Sequence, residues 1–280
     1  MQIIRRNVDL KNVVDGLKKS GATIGFVPTM GALHIGHLSL IKRAKLENAV
    51  VICSIFVNPN QFNDKTDLEN YPRTEKEDCE LLKENNCDFV FMPSVLEVYP
   101  EKDERQFNFG DLDKILEGKS RPGHFNGVAQ VVSRLFELVN PDSAFFGLKD
   151  YQQVLVVKSM VKALNLKVKI VPCDILREPD GLAFSSRNRL LSQEQRKLAS
   201  AVPQFLQKAK GLVKQYDPQA LKEIIQNEIE NHPDIKLDYF EICDKHNLSN
   251  ASSWNNPESI LFLIAVYIGK VRLIDNISLV

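Results

Sequence analysis

The chain has 280 residues, 44% of them hydrophobic, which suits one large or two modest globular domains whose core needs no disulfide bonds. Lys and Arg together number 36, as do Asp and Glu, so the formal net charge is +0. This balance disfavours a dedicated nucleic-acid-binding protein, which usually carries a basic excess. The most apolar stretch, Ile260–Ile268, is about half the length that spans a bilayer, so we expect no membrane segment.

The cysteine pattern favours a reducing compartment. The five cysteines are scattered, odd in number and without a Cys-x-x-Cys pair. This disfavours both a disulfide scaffold and a thiolate zinc site. The first residues lack the charged-then-apolar order of a signal peptide. We therefore expect a cytoplasmic protein.

Hydrophobic patterning predicts strands that alternate with helices in the first part of the chain. Continuous apolar runs predict buried strands, and apolar residues at helical spacing predict amphipathic helices. In chain order the predicted elements are a strand at 22–27 closed by Pro28, a helix at 36–48, a strand at 49–57, a helix at 74–85 with a Thr74–Glu77 capping box, a strand at 88–92, a helix at 127–139, a strand at 143–146, a helix at 151–164 and a strand at 167–171. This alternation predicts an α/β fold, a Rossmann-like, doubly wound, mainly parallel sheet that binds ligands at the carboxyl ends of its strands.

The pattern changes after about residue 176. Two amphipathic helices, at 192–214 and 218–230, precede strand-like segments at 237–242, 260–268 and 271–274. This order predicts a smaller C-terminal α+β domain. We therefore predict two domains, over residues 1–175 and 176–280.

The segment from Pro28 to His37 is the strongest candidate for chemistry. A strand ends, Gly31 permits a tight turn, and a helix begins near Gly36. Unpaired N–H groups at a helix start favour a phosphate, and His34 and His37 could both face it. The non-functional alternative is a turn with two surface histidines. A zinc site is disfavoured, because no third ligand has suitable spacing.

Two other segments offer cations to a phosphate. Ser185 and Ser186 precede Arg187, whose guanidinium can bind phosphate oxygens bidentately. Lys149 follows a strand that ends at Gly147. A polar loop for the first segment, and a capped helix with a solvated lysine for the second, remain open alternatives on local grounds.

An amide between aromatic residues suggests a site for a hydroxy acid. Gln61 lies in the segment from Phe56 to Phe62, directly after a buried strand, and offers both a donor and an acceptor. An ordinary Asn-Pro turn is the alternative. The segment 121–125 opens a helix and could close a lid or serve only as an entry loop.

Taken together, these segments resemble the pantothenate synthetase (pantoate–β-alanine ligase) family of the HIGH-motif nucleotidyltransferase superfamily. The resemblance covers essentially the whole chain. The motifs that carry it are Met-Gly-Ala-Leu-His-Ile-Gly-His at 30–37, Phe-Val-Asn-Pro-Asn-Gln-Phe at 56–62, Tyr-Pro-Arg-Thr at 71–74, Arg-Pro-Gly-His-Phe at 121–125, Phe-Gly-Leu-Lys-Asp-Tyr-Gln-Gln at 146–153 and Ser-Ser-Arg-Asn at 185–188. The first motif alone is shared with class I aminoacyl-tRNA synthetases and small nucleotidyltransferases.

The resemblance implies two steps. Pantoate and Mg-ATP give pantoyl adenylate and pyrophosphate, and the amine of β-alanine then displaces AMP to give pantothenate. It implies magnesium bound through the ATP phosphates, no prosthetic group, a homodimer and a C-terminal domain that acts as a lid. No protein ligand of magnesium is assigned, although Glu77 or Asp78 could approach it.

The resemblance also implies roles for individual residues. His37 matches the proton donor and His34 its partner, and Lys149 and Arg187 complete the catalytic set. Gln61 and Gln153 match the glutamines that bind pantoate, and Gln61 also lies near β-alanine. The residues implied on ATP are Met30, Gly31, Ala32, Leu33, His34, Ile35, Gly36, His37, Gly147, Leu148, Lys149, Asp150, Leu176, Phe184, Ser185, Ser186 and Arg187. Leu148 and Phe184 depart from the residues that many members carry there.

Two other activities would suit the same motifs. A nucleotidyltransferase would stop at a stable nucleotidyl product, and a nucleotide-sensing module would bind ATP without releasing pyrophosphate. A tRNA-binding role is disfavoured by the neutral charge and by the lack of an extended anticodon-binding region.

Overall fold

The computed structural model describes residues 1–62 and 65–280. These residues form two compact units, one of Met1–Leu148 with Gln153–Asp174 and one of Lys149–Gln152 with Ile175–Val280. No helix within the described ranges is long and apolar enough to cross a membrane.

Strands and helices alternate through the first 174 residues. The strands are β1 (Gln2–Ile4), β2 (Ile24–Thr29), β3 (Val50–Ile55), β4 (Phe89–Phe91), β5 (Ser143–Gly147) and β6 (Lys169–Cys173). The helices are α1 (Asn7–Lys19), α2 (Ile35–Glu47), α3 (Lys65–Asn70), α4 (Glu75–Glu84), α5 (Val95–Val98), α6 (Leu116–Ser120), α7 (His124–Val139) and α8 (Tyr151–Ala163).

The six strands form one sheet in the order β1-β4-β3-β2-β5-β6, and every pair in it is parallel. Consecutive side chains of a strand point to opposite faces, so each face has its own core. In β2, Phe26 packs with α1, α7 and α8 on one face, whereas Val27 packs with α2 and α4 on the other. Both faces are therefore covered by helices, which confirms the predicted doubly wound parallel fold.

The second unit is α+β, as predicted. Its helices are α9 (Gln193–Ala199), α10 (Ala201–Leu212) and α11 (Pro218–Glu230), followed by strands β7 (Ile235–Asp244), β8 (Ile260–Ile268) and β9 (Val271–Ser278). The strands form an antiparallel sheet in the order β7-β8-β9. Its core joins apolar residues of α10 and α11, such as Phe205 and Ile225, to Phe262 and other residues of the sheet.

Three local predictions were wrong. Pro28 lies inside β2 rather than closing it. At this position β2 pairs with β3 on one side, whereas its pairing with β5 on the other side is at Gly25 and Phe26. The predicted capping box at Thr74 does not form, since its Oγ1 is buried without a hydrogen-bond partner. The predicted helix at 192–214 is two helices that meet at Ser200, because Pro203 lacks the N–H that would continue the first helix.

Candidate active site

The carboxyl ends of three neighbouring strands lie at the same edge of the parallel sheet. β2 lies between β3 and β5, and these strands end at Thr29, Ile55 and Gly147. The Thr29 hydroxyl donates to the Ser54 carbonyl at 2.7 Å, which ties the ends of β2 and β3 together. The fold thus brings two segments to one edge of the sheet, where ligands of such folds bind. They are the histidine segment, residues 28–37, and the Gln61 segment, residues 56–62.

A buried carboxylate holds the turn that precedes His34. The side chain of Asp78, in the first turn of α4, is 1% exposed. Its Oδ2 accepts from the Ala32 N–H at 2.9 Å and its Oδ1 from the Leu33 N–H at 2.7 Å. Gly31 has a φ of 81°, and a Cβ there would lie 3.0 Å from Asp78 Oδ2. The carboxylate therefore fixes both the course of the turn and the need for glycine.

The two histidines are tied to each other at the start of α2. His34 is the N-cap of the helix, and its Nδ1 accepts from the Gly36 N–H at 3.1 Å. The Nδ1 of His37 accepts from the His34 N–H at 3.3 Å. Their ring centroids are 4.0 Å apart. Both rings are partly exposed, so the fold places two imidazoles side by side at a helix N-terminus.

These hydrogen bonds determine the tautomer of both rings. A ring nitrogen that accepts a hydrogen bond carries no proton, so the proton of each neutral imidazole is on Nε2. Each ring is therefore a donor at Nε2. Two such donors beside the positive end of a helix dipole suit charge that develops on phosphate oxygens.

Gln61 lies in a short 3-10 helix, Pro59–Gln61, after β3. Its side chain is 8% exposed, and its amide nitrogen hydrogen-bonds to the Met30 sulfur, so the structure brings these two predicted residues together. The fully buried Asn58 donates to Gln61 Oε1 at 3.3 Å and accepts from the Tyr99 hydroxyl at 3.1 Å. Burial raises the pKa of Tyr99, so the hydroxyl keeps its proton as a donor.

The other predicted residues of the first unit lie at the same strand ends. Gly147 is the last residue of β5, and Leu148 begins the 3-10 helix that follows. Gln153 lies in the first turn of α8 and is half-buried. Gln61 and Gln153 thus come from different elements, after β3 and after β5 respectively.

In the second unit, Lys149 is held by its backbone as well as by its neighbour. Its carbonyl accepts from the Asn276 side chain at 3.1 Å, and its Nζ lies 3.5 Å from Asp150 Oδ1. Its side chain is 20% exposed. The backbone of this lysine is therefore fixed, and its ammonium forms a long ion pair with a half-exposed carboxylate.

Leu176 and Phe184, eight positions apart in the chain, are paired in the structure. The Phe184 N–H donates to the Leu176 carbonyl at 3.0 Å, and Arg177 and Ala183 form an antiparallel bridge. The chain between them turns at Gly181, which has a φ of 89°. A short hairpin therefore leads directly into Ser185, Ser186 and Arg187.

Ion pairs anchor this hairpin within the second unit. The Arg177 guanidinium binds both oxygens of Asp275, at 2.6 and 3.0 Å. The Arg196 guanidinium binds Asp180 and Glu178, each at 2.6 Å. Burial raises the pKa of Asp275, and the Arg177 guanidinium opposes that rise. The turn at 178–181 is thus held by ion pairs.

The hairpin leads to a 3-10 helix, Ser186–Leu190, capped by the Ser185 hydroxyl, which accepts from the Arg187 N–H at 3.3 Å. Ser186 is buried and Arg187 is half-buried. The two serines and the arginine predicted from the sequence are therefore consecutive residues of one capped turn.

No group of three potential metal-ligating side chains was found among the residues that the structure describes. Two carboxylates were considered as residues that could approach magnesium. Both oxygens of Asp78 accept from backbone N–H groups, and Glu77 is exposed on the same turn of α4.

Asn58 was not singled out from the sequence, although its position directly after a buried strand could have indicated a role at the site.

A family model described as pantoate-beta-alanine ligase matches residues 2–278 of the chain. A pantothenate synthetase of Porphyromonas gingivalis W83 is 50% identical over 278 residues, which cover 99% of both chains. A pantothenate synthetase of Bacteroides thetaiotaomicron is 47% identical over 278 residues, again 99% of both chains.

Solved structures give the same result. The chain is similar to the crystal structure of pantothenate synthetase from Thermus thermophilus, with a TM-score of 0.92, 39% identity and coverage of 100% of this chain and 99% of that one. It is also similar to a pantoate-beta-alanine ligase from Francisella tularensis complexed with beta-gamma ATP and beta-alanine. That match has a TM-score of 0.82, 38% identity and coverage of 100% and 98%.

Proposed function

Because the chain belongs to the pantoate–β-alanine ligase family, we propose that it condenses (R)-pantoate with β-alanine to form pantothenate, with ATP converted to AMP and pyrophosphate. The observation that carries the proposal is the His34–His37 pair at the start of α2, with both Nε2 donors beside the helix N-terminus. Such an enzyme acts in pantothenate biosynthesis.

Activation of the acid is the step that needs these donors. A carboxylate is a poor electrophile at neutral pH, and attack of pantoate on the α-phosphorus of ATP converts it to an adenylate with AMP as a good leaving group. Negative charge grows on phosphate oxygens as pyrophosphate departs. His37 donates a hydrogen bond or proton there, and His34 is its partner, which supports catalysis by charge stabilisation.

Cationic side chains lower the repulsion between two anionic substrates. Lys149 and Arg187 bind the phosphates in this proposal, and the capped turn of Ser185 and Ser186 supplies hydroxyl and N–H donors. Magnesium arrives with ATP as part of the substrate. Asp78 is not proposed as a magnesium ligand, because its oxygens already accept from the Ala32 and Leu33 N–H groups.

Contacts to ATP extend along the backbone of the same segments. The proposed ATP-binding residues are Met30, Gly31, Ala32, Leu33, His34, Ile35, Gly36 and His37 after β2, Gly147, Leu148, Lys149 and Asp150 after β5, and Leu176, Phe184, Ser185, Ser186 and Arg187 of the hairpin and its turn. The Leu176–Phe184 hydrogen bond supports adenine recognition by backbone groups of this hairpin.

Gln61 and Gln153 bind pantoate in the proposal. A primary amide both donates and accepts, which suits a molecule with hydroxyl groups and a carboxylate. Gln61 is nearly buried and held by Asn58, so its amide is oriented before any substrate arrives. The amine of β-alanine then attacks the adenylate near Gln61 and releases AMP.

An assay of AMP release tests the reaction. With ATP, pantoate and β-alanine all present, AMP and pantothenate form in equal amounts, and omission of any one abolishes both. A stable nucleotidyl product without amide would identify a nucleotidyltransferase instead. Binding of ATP without release of pyrophosphate would identify a nucleotide-sensing module.

We propose three further properties because the chain belongs to this family. The protein is a cytoplasmic homodimer, and analytical ultracentrifugation at micromolar concentration tests the dimer. We propose that residues 176–280 act as a lid domain and residues 1–175 as a Rossmann-like domain. A change in small-angle scattering on addition of a nonhydrolysable ATP analogue tests the lid.

A further inference from the structure

His124, the first residue of α7, is hydrogen-bonded to the segment that carries Gln61. Its Nδ1 lies 2.8 Å from the Gln61 carbonyl oxygen, and its Nε2 lies 3.1 Å from Nη1 of Arg121. The imidazole is 6% exposed. A nearly buried ring therefore connects Arg121 to the backbone of a residue that we propose binds pantoate.

The two partners determine the tautomer of this ring. A carbonyl oxygen only accepts hydrogen bonds, so Nδ1 of His124 carries the proton and donates it to Gln61. A guanidinium only donates, so Nε2 carries no proton and accepts from Arg121. This tautomer is the opposite of the one in His34 and His37, whose Nδ1 atoms accept from backbone N–H groups.

Helix α7 also holds the Gln61 segment at other points. Asn58 Nδ2 donates to the Gly127 carbonyl at 3.1 Å, and Asn60 Nδ2 donates to Gln130 Oε1 at 3.4 Å. A Cβ at position 127 would lie 2.3 Å from the Asn60 carbonyl oxygen, so the helix and the segment are in direct backbone contact. The His124 bond is a hydrogen bond from α7 to Gln61 itself, next to Gly127, where a Cβ would lie 2.9 Å from Gln61 Cα.

We propose that His124 is a positioning residue that sets the affinity for pantoate by fixing the backbone of Gln61 through its Nδ1–H. The inference rests on the proposed function, since it needs Gln61 on pantoate. It assigns no contact between His124 and substrate. The proposal predicts no effect of His124 on the binding of ATP at the histidine segment.

Two substitutions separate the two ring nitrogens. In His124→Asn the side-chain NH2 lies close to the place of Nδ1, so it can still donate to the Gln61 carbonyl while the contact with Arg121 is lost. In His124→Gln the side-chain oxygen lies close to the place of Nε2, so it can still accept from Arg121 while the bond to Gln61 is lost. His246→Asn and His246→Gln, at an exposed histidine of the second unit, are matched controls.

The KM for pantoate and for ATP are measured for all four variants and the wild type, together with the melting temperature. We expect His124→Gln to raise the KM for pantoate about tenfold, the loss expected for one hydrogen bond. The KM for ATP stays within about twofold, and His124→Asn stays within about threefold of wild type for pantoate. The His246 variants match the wild type.

Equal effects of His124→Asn and His124→Gln on pantoate, or an equal rise of both KM values in His124→Gln, would overturn the proposal. The tautomer is tested without activity by a long-range ¹H–¹⁵N spectrum of the histidine rings in the wild-type protein. A proton on Nε2 of His124 would also overturn it, even if neither variant folds. Absence of AMP release by the wild-type enzyme would instead refute the proposed function.

Discussion

The Oδ1 of Asp78 accepts a hydrogen bond from the Leu33 N–H at 2.7 Å, across 45 residues of the chain. The other oxygen accepts from Ala32, so one carboxylate binds the two N–H groups that precede His34. Ala32 has a φ of 50°, a conformation that is unfavourable for a residue with a Cβ. The carboxylate therefore stabilises a turn that the local sequence alone would not favour.

Asp78→Asn is expected to destabilise the protein and to reduce adenylate formation. The amide can accept at its oxygen but presents an NH2 to the second N–H, so a buried donor loses its partner at a cost of about 2 kcal/mol. The free energy of unfolding in urea measures this loss. Glu77→Gln, one residue earlier and exposed, is the matched control, and equal stability of the two variants would contradict the role of Asp78.

His37 gives a second prediction, because its Nδ1 accepts from the His34 N–H while we propose that its Nε2 donates to the phosphate. His37→Asn can keep an acceptor for the His34 N–H but has no donor at the place of Nε2, so we expect a folded protein with a loss of about a hundredfold or more in rate. His37→Gln can place an NH2 there and should retain more activity. Pantoate-dependent ATP–pyrophosphate exchange measures both, and near-normal exchange by His37→Asn would refute the assignment.

Gln61→Ala is expected to raise the requirement for pantoate much more than that for ATP. The side chain is nearly buried beside Met30 and Asn58, and we propose that its amide contacts the acid. Loss of one or two hydrogen bonds corresponds to about ten- to a hundredfold in KM. Separate titrations of pantoate and ATP measure the effect. Equal changes for the two substrates would count against the proposal.

The ion pair of Asp180 with Arg196 predicts a dependence of stability on pH. The hydrogen bond from Arg196 holds the pKa of Asp180 below its ordinary value, and burial opposes this shift. A carboxyl with a lowered pKa stabilises the fold above its unfolded-state pKa, and this contribution is lost as the pH falls through the folded-state pKa. Asp180→Asn should therefore be less stable than wild type near neutral pH and equally stable in acid.

The expected difference near neutral pH is below about 1 kcal/mol, since solvent screens the pair. Urea unfolding at several pH values measures it, with Asp234→Asn at an exposed position as the control. A difference that persists unchanged in acid would show that the ionised pair is not its source.

The long apolar elements were predictable because burial imposes a regular period on the sequence. The strand at Ile260–Ile268 agrees with its prediction at both ends. Helix α1 was missed although Leu10, Val13, Val14 and Leu17 follow helical spacing. β1 has three residues, two of them exposed, so it carries no pattern that a sequence reveals.

The hydrogen bonds at the candidate site were not predictable in the same way. Motifs indicated which side chains are candidates for the chemistry, but the pairing of Asp78 with Leu33 or of His124 with Gln61 depends on elements brought together by the sheet. The expected capping box at Thr74 shows the same limit, since burial in the folded chain left its hydroxyl without a partner. Local spacing predicts elements, whereas tertiary packing selects the partners of polar groups.

The most direct measurement is ATP–pyrophosphate exchange in the absence of β-alanine. If pantoyl adenylate forms at the His34–His37 pair, labelled pyrophosphate enters ATP only when pantoate is present, and β-alanine then converts the adenylate to pantothenate and AMP. Exchange that does not depend on pantoate, or no exchange from an enzyme that still makes pantothenate, would contradict the adenylate mechanism.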